Sequence, residues 1–319
     1  MTETEPPPPD TGAFRHHALF YRAADEYVRE TAGFVRAALK AEDPVLVAVP
    51  GPRLDALRQE LGADAPAVSF ADMTELGRNP GRILSALWSF ADRHPGRAVR
   101  IVGEALWAGR SPAETVEATR HEALVNTAFS GRRVTVLCPY DTGALPPAVI
   151  ADARRTHPAL IEDGRPRTSS AYADAAVVCA ECDLPLPEPA VTDVQLGYAS
   201  GQLRLVREQA DAWVRRTVLN PVRRGDFVIA VNEAAANSLA HGGGSGTLRL
   251  WRTGSGTAVA EIRDGGRLTD PLAGRHCPSL ASSQGGRGLW MIHQLCDLVE
   301  LRTHATGLTL RLHMTAPGA

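Results

Sequence analysis

The sequence has no apolar run approaching the length of a bilayer span, so no membrane-crossing helix is expected. It also has little net charge. Thirty-four Lys and Arg face 36 Asp and Glu, a formal -2 at pH 7, which removes any whole-chain electrostatic case for nucleic acid or an anionic membrane. Cysteine is sparse: Cys138, Cys179, Cys182, Cys277 and Cys296 form an odd, scattered set, as expected in a reducing compartment. The lone Cys179-Ala180-Glu181-Cys182 lacks two further ligands at recognisable spacing for structural zinc, and the strand-to-helix turn of a thioredoxin-type pair. The opening MTETEPPPPD is acidic and proline-rich, where a secretory signal would be basic and then apolar. The expected location is the cytoplasm, with residues 1–13 as a disordered tail.

Against these absences, 319 residues at 44% hydrophobic content suffice for two ordinary domains. From Phe14, short apolar runs alternate with amphipathic segments. The strands read at 18–21, 44–50 (PVLVAVP), 67–72 (AVSFAD), 98–104 (AVRIVGE) and 133–140 (RVTVLCPY), with helices at about 23–41, 54–61, 81–94, 112–129 and 147–155. Strands that are apolar on both faces and separated by helices predict a doubly wound, mainly parallel sheet of Rossmann or RecA-like type. In such sheets ligands sit outside the carboxyl ends of the strands. Glu104, Tyr140 and Asp141 fall at those ends, and Trp107, Glu122 and Asn126 can join them as a candidate sensory ligand site. The turn after Val49 reads PGPRLDAL and lacks the GK[ST] that cradles phosphates, which argues against a P-loop. Residues 161–192, rich in small residues and proline, read as a linker with one short helix near 172–179.

The stretch 226–241, DFVIAVNEAAANSLAH, carries the chemistry. Glu233 and Asn237 lie four residues apart and share a helix face, with His241 one turn further. The other face is apolar, and Gly242 to Gly244 end the run. A carboxylate can deprotonate a hydroxyl and an amide oxygen can hold Mg²⁺, although ExxxN by itself is common on solvated helices. The residues after it make the pattern specific: strand-like runs at 247–253 and 257–263, then Asp264-Gly265-Gly266, then Gly285-Gly286-Arg287-Gly288-Leu289 opening another helix.

These three motifs in this order resemble the GHKL ATPase/kinase superfamily, and within it the anti-sigma-factor serine kinase branch. The resemblance covers about 193–314. It implies a Bergerat-type α/β sandwich that binds ATP and Mg²⁺, giving the chain an α/β fold class in both halves. Glu233 is implied as catalytic base and Asn237 as the Mg²⁺ ligand. Asp264 is implied to accept from the adenine amino group, with Gly266 beside the base. Gly285, Gly286, Arg287, Gly288 and Leu289 are implied on the phosphate side, where a helix N-terminus favours anions, and His241 at the pocket edge. One position departs: Leu268 stands where the family's DxGxG has its second glycine.

The first half resembles the MEDS sensory domain, through HHALFY near its start, GEALW, HEALVN, CPYD at a strand end, and His157-Pro158. The domains read as tail 1–13, MEDS-like 14–160, linker 161–192 and ATPase 193–319. The implied function is an ATP-dependent kinase that phosphorylates Ser or Thr of an anti-sigma-factor antagonist while sequestering a sigma factor, under a sensory domain that takes a small molecule. Self-association as a homodimer is compatible with this scheme. Two alternatives stay open: an ATP-binding, partner-sequestering module without turnover, and a sensor histidine kinase using His121 in Arg120-His121-Glu122.

Overall fold

The computed structural model describes residues 14–278 and 286–316. Two compact units result. The first takes the described residues up to Thr74, with Ser89–Ala108 and Val125–Ala175; the second takes Glu75–Trp88, Gly109–Leu124 and the described residues from Ala176 onward. Among the described residues no helix is long and apolar enough to cross a membrane.

The first unit is a seven-stranded sheet of β1 (Arg15–Tyr21), β2 (Val45–Val49), β3 (Ser69–Asp72), β4 (Val99–Gly103), β5 (Val134–Asp141), β6 (Ala159–Glu162) and β7 (Arg165–Thr168). Their order is β3-β2-β4-β5-β1-β6-β7, parallel except for the β6–β7 hairpin. Strand β2 is buried throughout, as a central parallel strand covered on both faces should be. The helices α1 (Ala24–Lys40), α2 (Gly51–Leu61) and α6 (Pro147–Thr156) fall where the sequence places them. Two readings change. Strand β1 starts at Arg15, because it pairs on both sides, with β5 and with β6, and so includes two histidines. The interval read as a linker contains β7 in addition to the expected short helix, which is α7 (Ala175–Glu181); Asp163 and Gly164, both at positive φ, form the turn that makes the hairpin.

Helices α3 (Met73–Leu76), α4 (Pro80–Asp92) and α5 (Pro112–Ala128) connect strands of the first sheet, and 75–88 and 109–124 cluster with the second unit. That unit holds an antiparallel sheet of β8 (Val194–Ala199), β9 (Ser245–Arg252), β10 (Ala258–Asp264), β11 (Leu298–His304) and β12 (Gly307–Met314), ordered β11-β12-β10-β9-β8. Helices α8 (Leu203–Val214), α9 (Pro221–His241) and α10 (Arg287–Leu295) share one apolar core with it, including Trp213, Phe227, Val231, Leu250, Ile262 and Leu312. Pro221 and the Asn220 side chain, which accepts the Arg223 N–H, start α9.

Alternation along β12 predicts one wet face, yet Arg311 and Thr309 are buried. Glu261, fully buried, pairs with Arg249, Arg263 and Arg311, while Glu188 joins Arg249 and Arg263 at 2.6 Å each and the Pro187 carbonyl accepts from Arg311. The 187–188 segment covers that polar face, and charges buried there are retained because they are paired.

Candidate functional site

Helix α9 carries Glu233 and Asn237 on the side that meets the first turn of α10. A β-carbon at Gly288 would stand 3.0 Å from Glu233 Oε2 and 3.2 Å from Asn237 Oδ1, so the two motifs touch through a position only glycine fits without displacement. Gly286 caps α10 at φ 83°, in the left-handed region that glycine tolerates. The N–H groups of that first turn, which have no partner within the helix, make an anion-favouring end next to the amide of Asn237.

Asp264 ends β10. Its Oδ1 accepts the Gly266 N–H at 2.7 Å, and the Gly265 N–H reaches the Gly242 carbonyl at 3.1 Å. A β-carbon at Gly242 would lie 2.6 Å from Asp264 Oδ1, and one at Gly266 would lie 2.8 Å from the same atom. Backbone therefore approaches the carboxylate from two sides. Between this end and α10 lies a cavity of about 480 Å³ lined by Asn237, His241, Asp264, Gly266, Gly286 and Leu289 among others. That volume lies in the ~300–1,000 Å³ range of small-molecule sites.

Of the residues assigned from sequence, those six line one cavity, and Glu233 with Gly288 adjoins it through Asn237. Arg287 opens α10, and Gly285 lies outside the described residues. Leu268 also lines the cavity, with Leu272, Ala273, Gly274 and His276 from the segment behind it. Sequence reasoning missed Ser238, which lines the cavity one residue after Asn237, and the buried Tyr198, whose phenol is pushed up to about 12 by burial. His293 on α10 is buried and driven down to about 3 by desolvation and then by Arg275. Asn79 Nδ2 donates to the His293 carbonyl at 2.9 Å. Histidine spacing on an amphipathic helix gives no sign of such burial. Arg223 is held by Asp297 at 2.6 Å.

Residues 198–314 match the histidine kinase-like ATPase domain, and residues 15–158 match the family described as MEDS, the methanogen/methylotroph DcmR sensory domain. The chain joins a MEDS sensory domain to a histidine kinase-like ATPase domain. No curated protein matches it. A solved structure of the RsbU and RsbW domains of Rv1364c from Mycobacterium tuberculosis is 20% identical with a TM-score of 0.29, covering 38% of this chain and 32% of that one. The chain thus spans about a third of that relative's length, and the likeness carries no argument about activity.

In the MEDS domain the candidate sensory residues do not form a single pocket wall. Glu104 is buried and paired with Arg53, which also reaches Asp141 at 3.5 Å and lies over the Tyr21 and Tyr27 rings. Asp141 Oδ1 accepts the Gly143 and Ala144 N–H groups and so shapes the turn after β5. Tyr140 and Glu122 are buried, Asn126 is half-buried, and Trp107 is half-buried in the loop after β4. A cavity of about 470 Å³ at this end is lined instead by Tyr21, Arg22, Thr142, Arg154, Glu162 and Arg167 among others. Cys179 and Cys182 are free thiols, with Cys182 pushed up to about 12 by burial. Among the described residues they belong to no metal-binding group.

Proposed function

We propose that this chain is an ATP-dependent regulatory protein kinase of the anti-sigma-factor type. The observation that supports it is the meeting of Glu233 and Asn237 with the glycine-capped first turn of α10, beside a cavity floored by Asp264. In this reading Asp264 and the backbone at Gly266 take the adenine edge, and the α10 N-terminus takes the phosphates. The glycines at 242, 266 and 288 fit a bound nucleotide, because side chains there would crowd the very atoms that receive it. Asn237 Oδ1 is the Mg²⁺ ligand, and the ion neutralises charge on the phosphates when bound. Glu233 accepts the proton of the attacking Ser or Thr hydroxyl of an anti-sigma-factor antagonist. A sigma factor is the second partner, held when the antagonist is phosphorylated, and the MEDS domain tunes the choice in response to a small molecule.

Incubating the protein with labelled ATP, Mg²⁺ and a candidate antagonist tests this reading. Phosphoserine or phosphothreonine on the antagonist, lost in Glu233→Ala, is the expected result. Nucleotide binding with no transfer in any condition selects the second reading, a nucleotide-gated binder, which Leu268 in the cavity wall favours. A phosphohistidine mechanism has less support, since His121 is buried within α5.

A further inference from the structure

The centre of the first sheet holds a group that the nucleotide reading does not use. His16 on β1 and Cys138 on β5 point to the same face, since β1 and β5 pair with Ala18 opposite Cys138 and side chains two apart share a side. His157 follows α6 and leads into β6, the other neighbour of β1. All three are buried, with 3% exposure at most. The donor atoms of His16, Cys138 and His157 lie within 4.8 Å of one another, and the two imidazole centroids are 3.9 Å apart.

Hydrogen bonds fix which nitrogens are available. Asn126 donates through Nδ2 to the Thr156 carbonyl at 2.8 Å, so its Oδ1 faces His16 Nδ1 at 3.2 Å and must accept from it. His157 Nδ1 lies 2.8 Å from the Ala153 carbonyl, which can only accept. Both rings therefore carry their proton on Nδ1 and a lone pair on Nε2. This is the arrangement that metal-ligating histidines have, with the distal N–H held by a carbonyl. His16 Nε2 stands 3.3 Å from Cys138 Sγ; a tetrahedral zinc with its usual Zn–N and Zn–S bonds separates such a pair by about 3.6 Å.

We propose that His16, Cys138 and His157 bind one divalent transition-metal ion, zinc by the chemistry of the set. Two imidazoles and a thiolate supply three of the four donors of a tetrahedral zinc site. Binding takes the thiol to the thiolate and releases one proton to solvent. The ion ties β1, β5 and the approach to β6 together at the middle of the sheet, independently of nucleotide.

The test uses the full chain, expressed without a histidine tag and purified without chelator, with metal content read by plasma mass spectrometry. About one zinc per chain is expected, falling at least fivefold in Cys138→Ser and His157→Gln, and unchanged in Cys179→Ser/Cys182→Ser. Protein stripped of metal should take up Co²⁺ with a thiolate charge-transfer band. Should Cys138→Ser fail to fold, cobalt titration of the wild-type chain decides. No metal in the isolated protein together with no such band, or loss of metal only in the Cys179/Cys182 variant, overturns the proposal.

Discussion

Gly288, in the first turn of α10, approaches Glu233 of α9 so closely that a β-carbon on it would meet the carboxylate Oε2 at 3.0 Å and the Asn237 amide at 3.2 Å. Both neighbours are side-chain ends on a helix whose opposite side is packed in the core, and each has to give by a few tenths of an ångström to admit that carbon. Alanine at 288 should therefore push the phosphate-side turn away from Asn237. The expected outcome for Gly288→Ala is a loss of Mg-ATP affinity of about tenfold, or ~1.4 kcal/mol, measured with a fluorescent ATP analogue. Wild-type affinity would show that the first turn of α10 does not face the phosphates.

The two ends of the cavity should be separable. Asp264 offers a carboxylate to a donor on the base, and a hydrogen bond to a charged group is worth roughly 1.5–3 kcal/mol, so Asp264→Asn should weaken nucleotide by about 10- to 100-fold with or without Mg²⁺. Asn237→Ala should remove mainly the increment that Mg²⁺ adds. Paired titrations with and without the metal check both, and equal losses in the two variants under both conditions would mean that base and phosphates do not occupy these ends.

Much of the cavity between α9, the end of β10 and α10 is legible in the sequence because glycine and ExxxN positions announce backbone constraints directly. Glu233, Asn237, Asp264 and Gly288 are each placed by local spacing plus one helix or strand. The alternation of strands and helices in the first half is equally readable. Partnerships that depend on remote segments are not. Arg311 in a Leu-x-Leu-x-Leu strand looks solvated until Glu261 and residues 187–188 cover it. The hairpin of β6 and β7 hides in a run that looks like linker, since polar Arg165 to Thr168 are an exposed edge strand. His16, Cys138 and His157 are far apart in the chain, and only the strand order brings them together.

Glu117 of α5 stands among three guanidinium groups: Arg302 at 2.5 Å, Arg120 at 3.5 Å and Arg275 at 3.8 Å. Its side chain is 2% exposed, and Arg275 belongs to the segment that leads back over the cavity. Removing this carboxylate leaves buried cations without its compensation, which costs about 3–5 kcal/mol. Glu117→Gln should lower the urea midpoint accordingly. Glu117→Leu/Arg302→Met should recover part of the loss, because a buried pair replaced by apolar groups of similar size is often neutral. Identical midpoints for wild type and Glu117→Gln would remove the cluster from the stability of the second unit.

His293 gives the pH dependence a sign. Burial, with Arg275 adding to it, lowers its pKa from 6.5 to about 3, so the folded chain keeps the ring neutral where the unfolded chain protonates it. The unfolded state then binds more protons below pH 6.5, and the stability that His293 contributes is complete above that value and is lost progressively toward pH 3. One pKa unit corresponds to about 1.36 kcal/mol, so moving from pH 7.5 to pH 5.0 should cost about 2 kcal/mol through this residue. Because the half-buried His17, lowered to about 4, titrates in the same direction, the informative quantity is the difference between wild type and His293→Gln. Urea unfolding at the two pH values should show wild type losing about 2 kcal/mol more than the variant. Equal losses would mean that the ring is reached by solvent or protonated in the folded state, and that the contact of α10 with Asn79 is looser than its 2.9 Å hydrogen bond indicates.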